Sequence, residues 1–212
     1  MSRSYLSLNT LLLFLIALPV TAGASVYIEA GTGLGSFVNG ENFFGQTTAA
    51  KGSGFLGSLS IYVPVTSERE FLHLDLGINN RFMSATDSAG SPLALGSSEI
   101  GARLEISRAF VGGGYAPITY VGKPGDGLTS LHPNSGVTAY FLEVGAIWRV
   151  IPELQICAAY TVEHGVPSSG SLSPSPLSEY GLRFRFPLNP AEHQGGKGVD
   201  FDGFRYPFGF MK

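Results

Sequence analysis

The chain has 212 residues, a formal net charge of −3, 44% hydrophobic residues and only 14% charged residues. This net charge provides no basic field for nucleic acid, and the charged fraction is well below the ~25% of a typical soluble domain, which favours a surface in contact with lipid. The single cysteine, Cys157, excludes an intrachain disulfide framework and a cysteine-based zinc site.

The first 24 residues are typical of a secretory signal peptide. Arg3 supplies one positive charge, an apolar block follows at residues 11–17, and residues 22–24 form a small-x-small cleavage pattern. The apolar block is shorter than the roughly 20 residues that a membrane-spanning helix needs. We therefore expect cleavage after Ala24 and a mature chain that forms one domain.

Alternation of apolar and polar side chains predicts four strands in the first half of the mature chain. The third is the clearest, because Leu72, Leu74 and Leu76 alternate with polar residues and glycine. The predicted strands are residues 25–37, 54–65, 72–82 and 99–106, with long loops at 39–52 and 84–96 and a short turn at 66–69.

The same alternation predicts four strands in the second half. The sixth has an unbroken apolar face over about 11 residues, a length that crosses a bilayer as a tilted strand. Three glycines blur the alternation of the fifth strand. The predicted strands are residues 109–120, 140–150, 154–163 and 179–188, with short turns at 107–108 and 151–153 and long loops at 122–135 and 167–176.

Long and short connections alternate in this reading, as they do in an up-and-down barrel. The sequence thus predicts an all-β fold, an eight-stranded antiparallel up-and-down transmembrane β-barrel of residues 25–188. Its long loops would be extracellular and its short turns periplasmic. Residues 189–212 would form a periplasmic tail outside the wall, because Pro207 cannot donate a hydrogen bond to a strand ladder.

The faces opposite the apolar ones carry seven acids and five arginines. Side chains just fill the interior of a barrel of eight strands, and an unpaired buried charge costs several kcal/mol, so we expect these residues to pair in a closed polar lumen. A small conducting pore is the alternative. The predicted lumen charges are Glu29, Asp75, Arg81, Glu99, Arg103, Glu105, Glu143, Arg149, Glu163, Glu179, Arg183 and Arg185.

A soluble lipocalin-like barrel would show the same alternation with the faces exchanged, so that the apolar face encloses a ligand. Two features favour the membrane barrel instead. Glycines share the charged face, as a crowded interior requires, and Trp148, Tyr160 and Tyr180 share the apolar face, as interfacial aromatic residues do.

The eight amphipathic strands, the loop asymmetry and the sequence YGLRFRF at residues 180–186 resemble the small outer-membrane barrel proteins of Gram-negative bacteria, the OmpA and OmpX type. The resemblance implies this fold in the outer membrane, in contact with membrane lipid and lipopolysaccharide. We further expect a monomer without metal or cofactor, and a structural or surface-interaction role through the loops, with an unidentified partner. Gly181, Phe184 and Phe186 look like the family's signal for the barrel assembly machinery.

A narrower resemblance concerns YTVEH at residues 160–164 and the later Glu179, which are similar to the lipid A 3-O-deacylases. These are eight-stranded barrels with a Ser-His-Glu hydrolase site. The resemblance implies that His164 is the base and Glu179 its orienting acid. The family's penultimate strand ends in His-x-Ser, whereas position 166 is Val166 here, so Ser168 is the candidate nucleophile. An acyl hydrolase is thus the alternative to the structural role.

Overall fold

A computed structural model describes residues 26–37, 51–65, 72–87, 90–123, 125–151, 154–167 and 177–188. The predicted signal peptide, the tail, the turn at 66–69, Ser168 and most of the loops at 39–52 and 167–176 lie outside the described residues. No helix within the described ranges is long and apolar enough to cross a membrane.

The described residues form strands and one short 3₁₀ turn, Gly127–Ser130. Eight strands are long, and the three-residue β6 is an addition at the end of β5. The strands are β1 (Tyr27–Phe37), β2 (Gly52–Pro64), β3 (Leu72–Asp87), β4 (Pro92–Ile106), β5 (Ala109–Val121), β6 (His132–Asn134), β7 (Val137–Ile151), β8 (Leu154–Pro167) and β9 (Leu177–Pro187).

The long strands close into an antiparallel barrel. Each pairs with its neighbour in the chain, and pairing of β1 with β9 closes the sheet, so that Tyr27 lies opposite both Tyr62 and Pro187. Strand β6 pairs with the last residues of β5, beyond the stretch that pairs with β7. The predicted eight-stranded up-and-down barrel is confirmed.

The predicted long loop at residues 84–96 is wrong. Strand β3 continues to Asp87 and β4 already begins at Pro92, with Met83 opposite Leu95 in the register. The two strands continue because alternation persists there with its polarity reversed: Met83 and Leu95 are buried in the interior, while Ser84 is exposed outside. Residues 88–91 are therefore a short connection at the end where the other connections are long.

The outer wall is apolar. Leu142 is 69% exposed and Phe55 is 73% exposed, whereas Glu29 and Arg103 are fully buried inside. A soluble lipocalin-like barrel requires the opposite arrangement, so that alternative is wrong. Exposed side chains of this wall include Leu34, Phe55, Leu59, Leu76, Phe82, Val111, Tyr115, Tyr140, Leu142, Val144, Trp148, Tyr180, Leu182, Phe184 and Phe186.

Glycine is required where interior rings approach the wall. A Cβ added at Gly145 would lie 2.3 Å from the backbone oxygen of Ala158 and 2.4 Å from Cζ of Phe110. Gly57, which faces outward, has no heavy atom within 4 Å of the same position. The glycines of the inward face thus make room for the large side chains that fill the barrel.

The loop end and the short-turn end of the barrel can be assigned by labelling. With extracellular loops, a membrane-impermeant maleimide should label Leu128→Cys in intact cells, because this side chain is 49% exposed in the 3₁₀ turn between β5 and β6. Arg149→Cys, exposed at the opposite end, should react only after the outer membrane is permeabilised. The parent protein is the control, since Cys157 is buried. Labelling of Arg149→Cys in intact cells would invert the orientation.

Candidate functional site

The barrel interior is the candidate site, because alternation along the strands directs the ionisable side chains into it. Of the twelve predicted lumen charges, the structure buries the following eleven, each at most 4% exposed: Glu29, Asp75, Arg81, Glu99, Arg103, Glu105, Glu143, Glu163, Glu179, Arg183 and Arg185.

Arg149 is the exception, and its predicted place in the network is wrong. It has the same parity as the inward-facing Glu143 and Ile147, which means that it lies an even number of residues from each along the strand. However, it lies near the end of β7, beside a register shift that involves Arg149 and Ile151. Its side chain is exposed there instead of being enclosed by the wall. The network therefore rests on four arginines.

Glu143 lies at the centre of the network. Its Oε1 is 2.9 Å from Nη2 of Arg103, and its Oε2 is 3.4 Å from Nη2 of Arg81. Arg183 donates to the same Oε2, and Thr161 Oγ1 donates to it at 3.3 Å. One carboxylate on β7 thus joins three arginines from β3, β4 and β9.

Two of the four arginines, Arg103 and Arg185, bind acids nearer the short-turn end. Arg103 Nη1 is 2.5 Å from Oε1 of Glu29, and its guanidinium lies 4.1 Å from the ring centroid of Tyr62. Arg185 pairs with both Asp75 and Glu105. These charges have both ionic and aromatic partners, which compensate for the loss of hydration in the interior.

Arg81 forms ion pairs with acids nearer the loop end. Its Nη1 is 2.8 Å from Oε2 of Glu179, and its Nε is 3.1 Å from Oε2 of Glu99. Asn79 Nδ2 donates to the same oxygen of Glu99 at 2.7 Å. Glu163 lies in this group as well, and its hydrogen-bond partner is the hydroxyl of Ser97.

An apolar layer, which was not predicted from the sequence, covers the charges at the loop end. The signal was present, because Met83, Leu93 and Leu95 continue the inward parity of their strands. A cavity of about 10 Å³, room for about one water molecule, is lined both by residues of this layer and by Arg81 and Glu179. The apolar layer consists of Phe37, Leu56, Met83, Ala85, Leu93, Leu95 and Leu177.

A second apolar cluster, also absent from the predicted site, lies in the interior toward the short-turn end. It contains Phe110, Ile147, Cys157 and Ala159, and Cys157 is fully buried within it. Burial makes this thiol a small packing group, as the alternation of β8 indicates.

The residues implied by the deacylase resemblance do not form a pair. His164 faces outward and lies opposite Tyr140 in the register of β7 and β8. Glu179 faces inward, is 2% exposed and accepts a hydrogen bond from Arg81. The barrel wall therefore separates the implied base from its implied orienting acid.

The residues of the implied assembly signal lie on β9. Phe184 and Phe186 face outward and are 43% and 44% exposed. Gly181 lies opposite Gly33 of β1, where the nearest atom to an added Cβ would be the backbone oxygen of Thr32 at 3.6 Å. Two aromatic rings are thus presented on the outer wall near the end of the last strand.

Replacing Glu143 by Ala should lower the free energy of unfolding by about 3–5 kcal/mol, because it leaves buried arginines without their shared carboxylate. Urea unfolding of the purified barrel in lipid vesicles would measure this. Asp126→Ala removes an exposed carboxylate and should change the value by about 0.5 kcal/mol or less. Equal stability of Glu143→Ala and the parent would show that the interior is hydrated.

No protein-family model matches the sequence, and no curated protein matches it. Among solved structures, Neisserial surface protein A is similar, with 12% identity, a TM-score of 0.54 and coverage of 76% of this chain and 96% of that one. Ail of Yersinia pestis has 11% identity, a TM-score of 0.44 and coverage of 77% and 99%. OprG of Pseudomonas aeruginosa has 12% identity, a TM-score of 0.33 and coverage of 77% and 96%. The predicted resemblance is confirmed at the level of fold: this chain is a small eight-stranded β-barrel of the bacterial outer-membrane type.

Proposed function

We propose that the protein is an integral outer-membrane barrel with a closed interior, and that it has a structural role or acts at the cell surface through its extracellular loops. The observation that carries this proposal is the apolar layer above paired charges. An ion crossing the interior would have to leave water to pass Leu56, Leu95 and Leu177, and then displace ion pairs such as that of Arg81 with Glu179. Both steps are costly because they desolvate the ion or unpair a buried charge.

Lipid and lipopolysaccharide are the proposed surroundings of the outer wall. Aromatic side chains pair across neighbouring strands on this wall, with ring centroids 5.2 Å apart for Tyr115 and Tyr140 and 4.7 Å apart for Tyr160 and Tyr180. Tyrosine is enriched where a membrane protein meets the headgroup region. The barrel is proposed to be a monomer, because the pairing of β1 with β9 leaves none of the eight long strands of the described barrel at a sheet edge.

The connection between β5 and β7 supports a surface interaction through loops. It contains the 3₁₀ turn and β6, and it is held to the barrel by hydrogen bonds from the backbone N–H groups of Gly122 and Gly125 to the backbone oxygens of Ala94 and Pro92. Leu128 is 49% exposed on it. A segment that is hydrogen-bonded to the barrel and exposes an apolar side chain is a suitable contact for a partner.

The closed interior predicts an absence of channel activity. The purified protein, reconstituted into planar lipid bilayers at neutral pH, should give no discrete conductance steps above the background of the protein-free bilayer. A porin reconstituted under the same conditions shows that channels would be detected. Reproducible steps from the parent protein would contradict a closed interior and favour the small pore.

We also propose that Gly181, Phe184 and Phe186 are recognised by the barrel assembly machinery. Truncation after Leu188 should then leave insertion into the outer membrane unchanged, whereas Phe184→Ala combined with Phe186→Ala should reduce the inserted amount, measured by fractionation and immunoblotting. Phe82→Ala is a matched control, because Phe82 is similarly exposed on the outer wall of β3. Loss of the truncated protein from the outer membrane would assign the signal to the terminal aromatic residues instead.

A further inference from the structure

The interior of the described barrel contains more acids than bases. Seven acidic side chains and four arginines are buried, an excess of three negative charges if all are ionised. The excess is concentrated beneath the apolar layer, where Arg81 faces Glu99, Glu163 and Glu179. Such an excess is unfavourable in an interior that water does not fill.

Glu163 is the acid whose surroundings provide least for a carboxylate. It is 2% exposed, and among the described residues it forms no ion pair within 4.0 Å. Ser97 Oγ lies 3.4 Å from its Oε2, yet the same Oγ lies 3.1 Å from Oε1 of Glu99. A hydroxyl carries one hydrogen and cannot donate to both carboxylates.

Both contacts of Ser97 Oγ can be hydrogen bonds if Glu163 carries a proton. We propose that Glu163 is a buried proton-binding site, and that its carboxylic acid donates to Ser97 Oγ while the Ser97 hydroxyl donates to Glu99. Glu99 then remains the ionised member, since Arg81 Nε at 3.1 Å and Asn79 Nδ2 at 2.7 Å also face it. The hydrogen-bond chain thus runs from Glu163 through Ser97 to Glu99.

The groups around Glu163 favour a neutral acid. The charged side chains that face it are Arg81 on β3, Glu99 on β4 and Glu179 on β9, and Arg81 is already engaged by the other two acids. Its neighbours in the register are Phe141 on β7 and Leu177 on β9, both buried. The cavity that Glu163 lines has room for about one water molecule, so a hydrated counterion does not fit.

A bound metal cation would be another way to neutralise the acids. Within the described residues, no group of three or more acids, histidines or cysteines has an arrangement that could hold a metal ion. A proton needs only one acceptor atom and one hydrogen-bond partner, and Glu163 has both.

The test is the pH dependence of unfolding, measured with urea in lipid vesicles at constant ionic strength for the parent and for Glu163→Gln. A glutamate in an unfolded chain ionises near pH ~4.3, so the parent would release one proton on unfolding above this pH. Its unfolding constant, relative to that of Glu163→Gln, should rise about tenfold per pH unit until Glu163 ionises in the folded barrel. If the ratio of the two unfolding constants does not change between about pH 5 and 7, the proposal is wrong.

Glu179→Gln is the matched control. Its carboxylate accepts from Arg81 Nη1 at 2.8 Å, so its replacement should weaken the barrel throughout the pH range, without a gain that increases with pH. If Glu163→Gln instead behaved like Glu179→Gln, Glu163 would be ionised and the proposal would be wrong.

Infrared spectroscopy of the folded parent, labelled with ¹³C at the glutamate carboxyl groups, provides a readout that does not depend on unfolding. A protonated carboxylic acid band should be present at neutral pH, absent in Glu163→Gln and shifted in Ser97→Ala, which removes the hydrogen-bond acceptor. If Glu163→Gln fails to fold, the presence of the band in the parent and its shift in Ser97→Ala test the protonation of Glu163 without that variant. Absence of the band, or stabilisation of the parent by added sodium or calcium ions without the band, would overturn the proposal.

Discussion

The pairing of charges inside a closed wall is the constraint on which the rest of this structure depends. Glu143 joins arginines from three strands, and these arginines in turn bind acids on β1, β4 and β9. The network links strands that are far apart in the sheet, so the barrel is braced across its interior as well as along its ladders. Stacking of Arg103 on Tyr62 and Phe110, with centroid distances of 4.1 and 4.3 Å, orients the guanidinium between its acids.

The polarity of the two faces exchanges along the strands. Over most of their length the outer wall is apolar and the interior is charged, whereas near the loop end the interior holds Met83, Leu93 and Leu95 and the outside of β3 carries Ser84 and Thr86. The exchange matches a wall that passes from lipid into water while apolar side chains replace charged ones in its interior. The same alternation thus produces a membrane barrel over most of the strand length and a small hydrophobic core at the loop end.

Alternation predicted the strands and their order from the sequence because the side-chain period of a strand does not depend on tertiary context. The alternation showed which charged side chains face inward, but it did not show whether the barrel wall encloses them. Arg149 has the same parity as Glu143, yet it lies at the end of its strand, where the wall no longer covers it. The loop predicted at residues 84–96 was wrong for another reason, because the alternation continues there with the apolar residues, such as Met83 and Leu95, on the inner face. Partners could not be predicted, since they depend on the stagger of strands around the barrel.

Parity also bears on the hydrolase resemblance. Glu163 and Glu179 were both assigned to the interior from the sequence, which already placed His164 on the opposite face from Glu179. The spacing of the motif alone does not reveal this conflict. The register of β8 with β9 does, because Glu179 lies opposite Thr161, which also faces inward. In a strand, the parity of two residues decides whether their side chains can meet.

The seam between β1 and β9 joins the first and last strands of the barrel, and Glu29 lies on it, opposite Arg185 in the register and bound to Arg103 across the interior. Before the seam closes, these polar side chains would face lipid on one side, which is costly in a bilayer. Closure of the sheet and pairing of Glu29 with Arg103 and Arg185 are therefore a single event. Half-closed barrels are disfavoured within the membrane, and insertion becomes cooperative, because the first and last strands of the barrel come together in the same step that encloses these side chains.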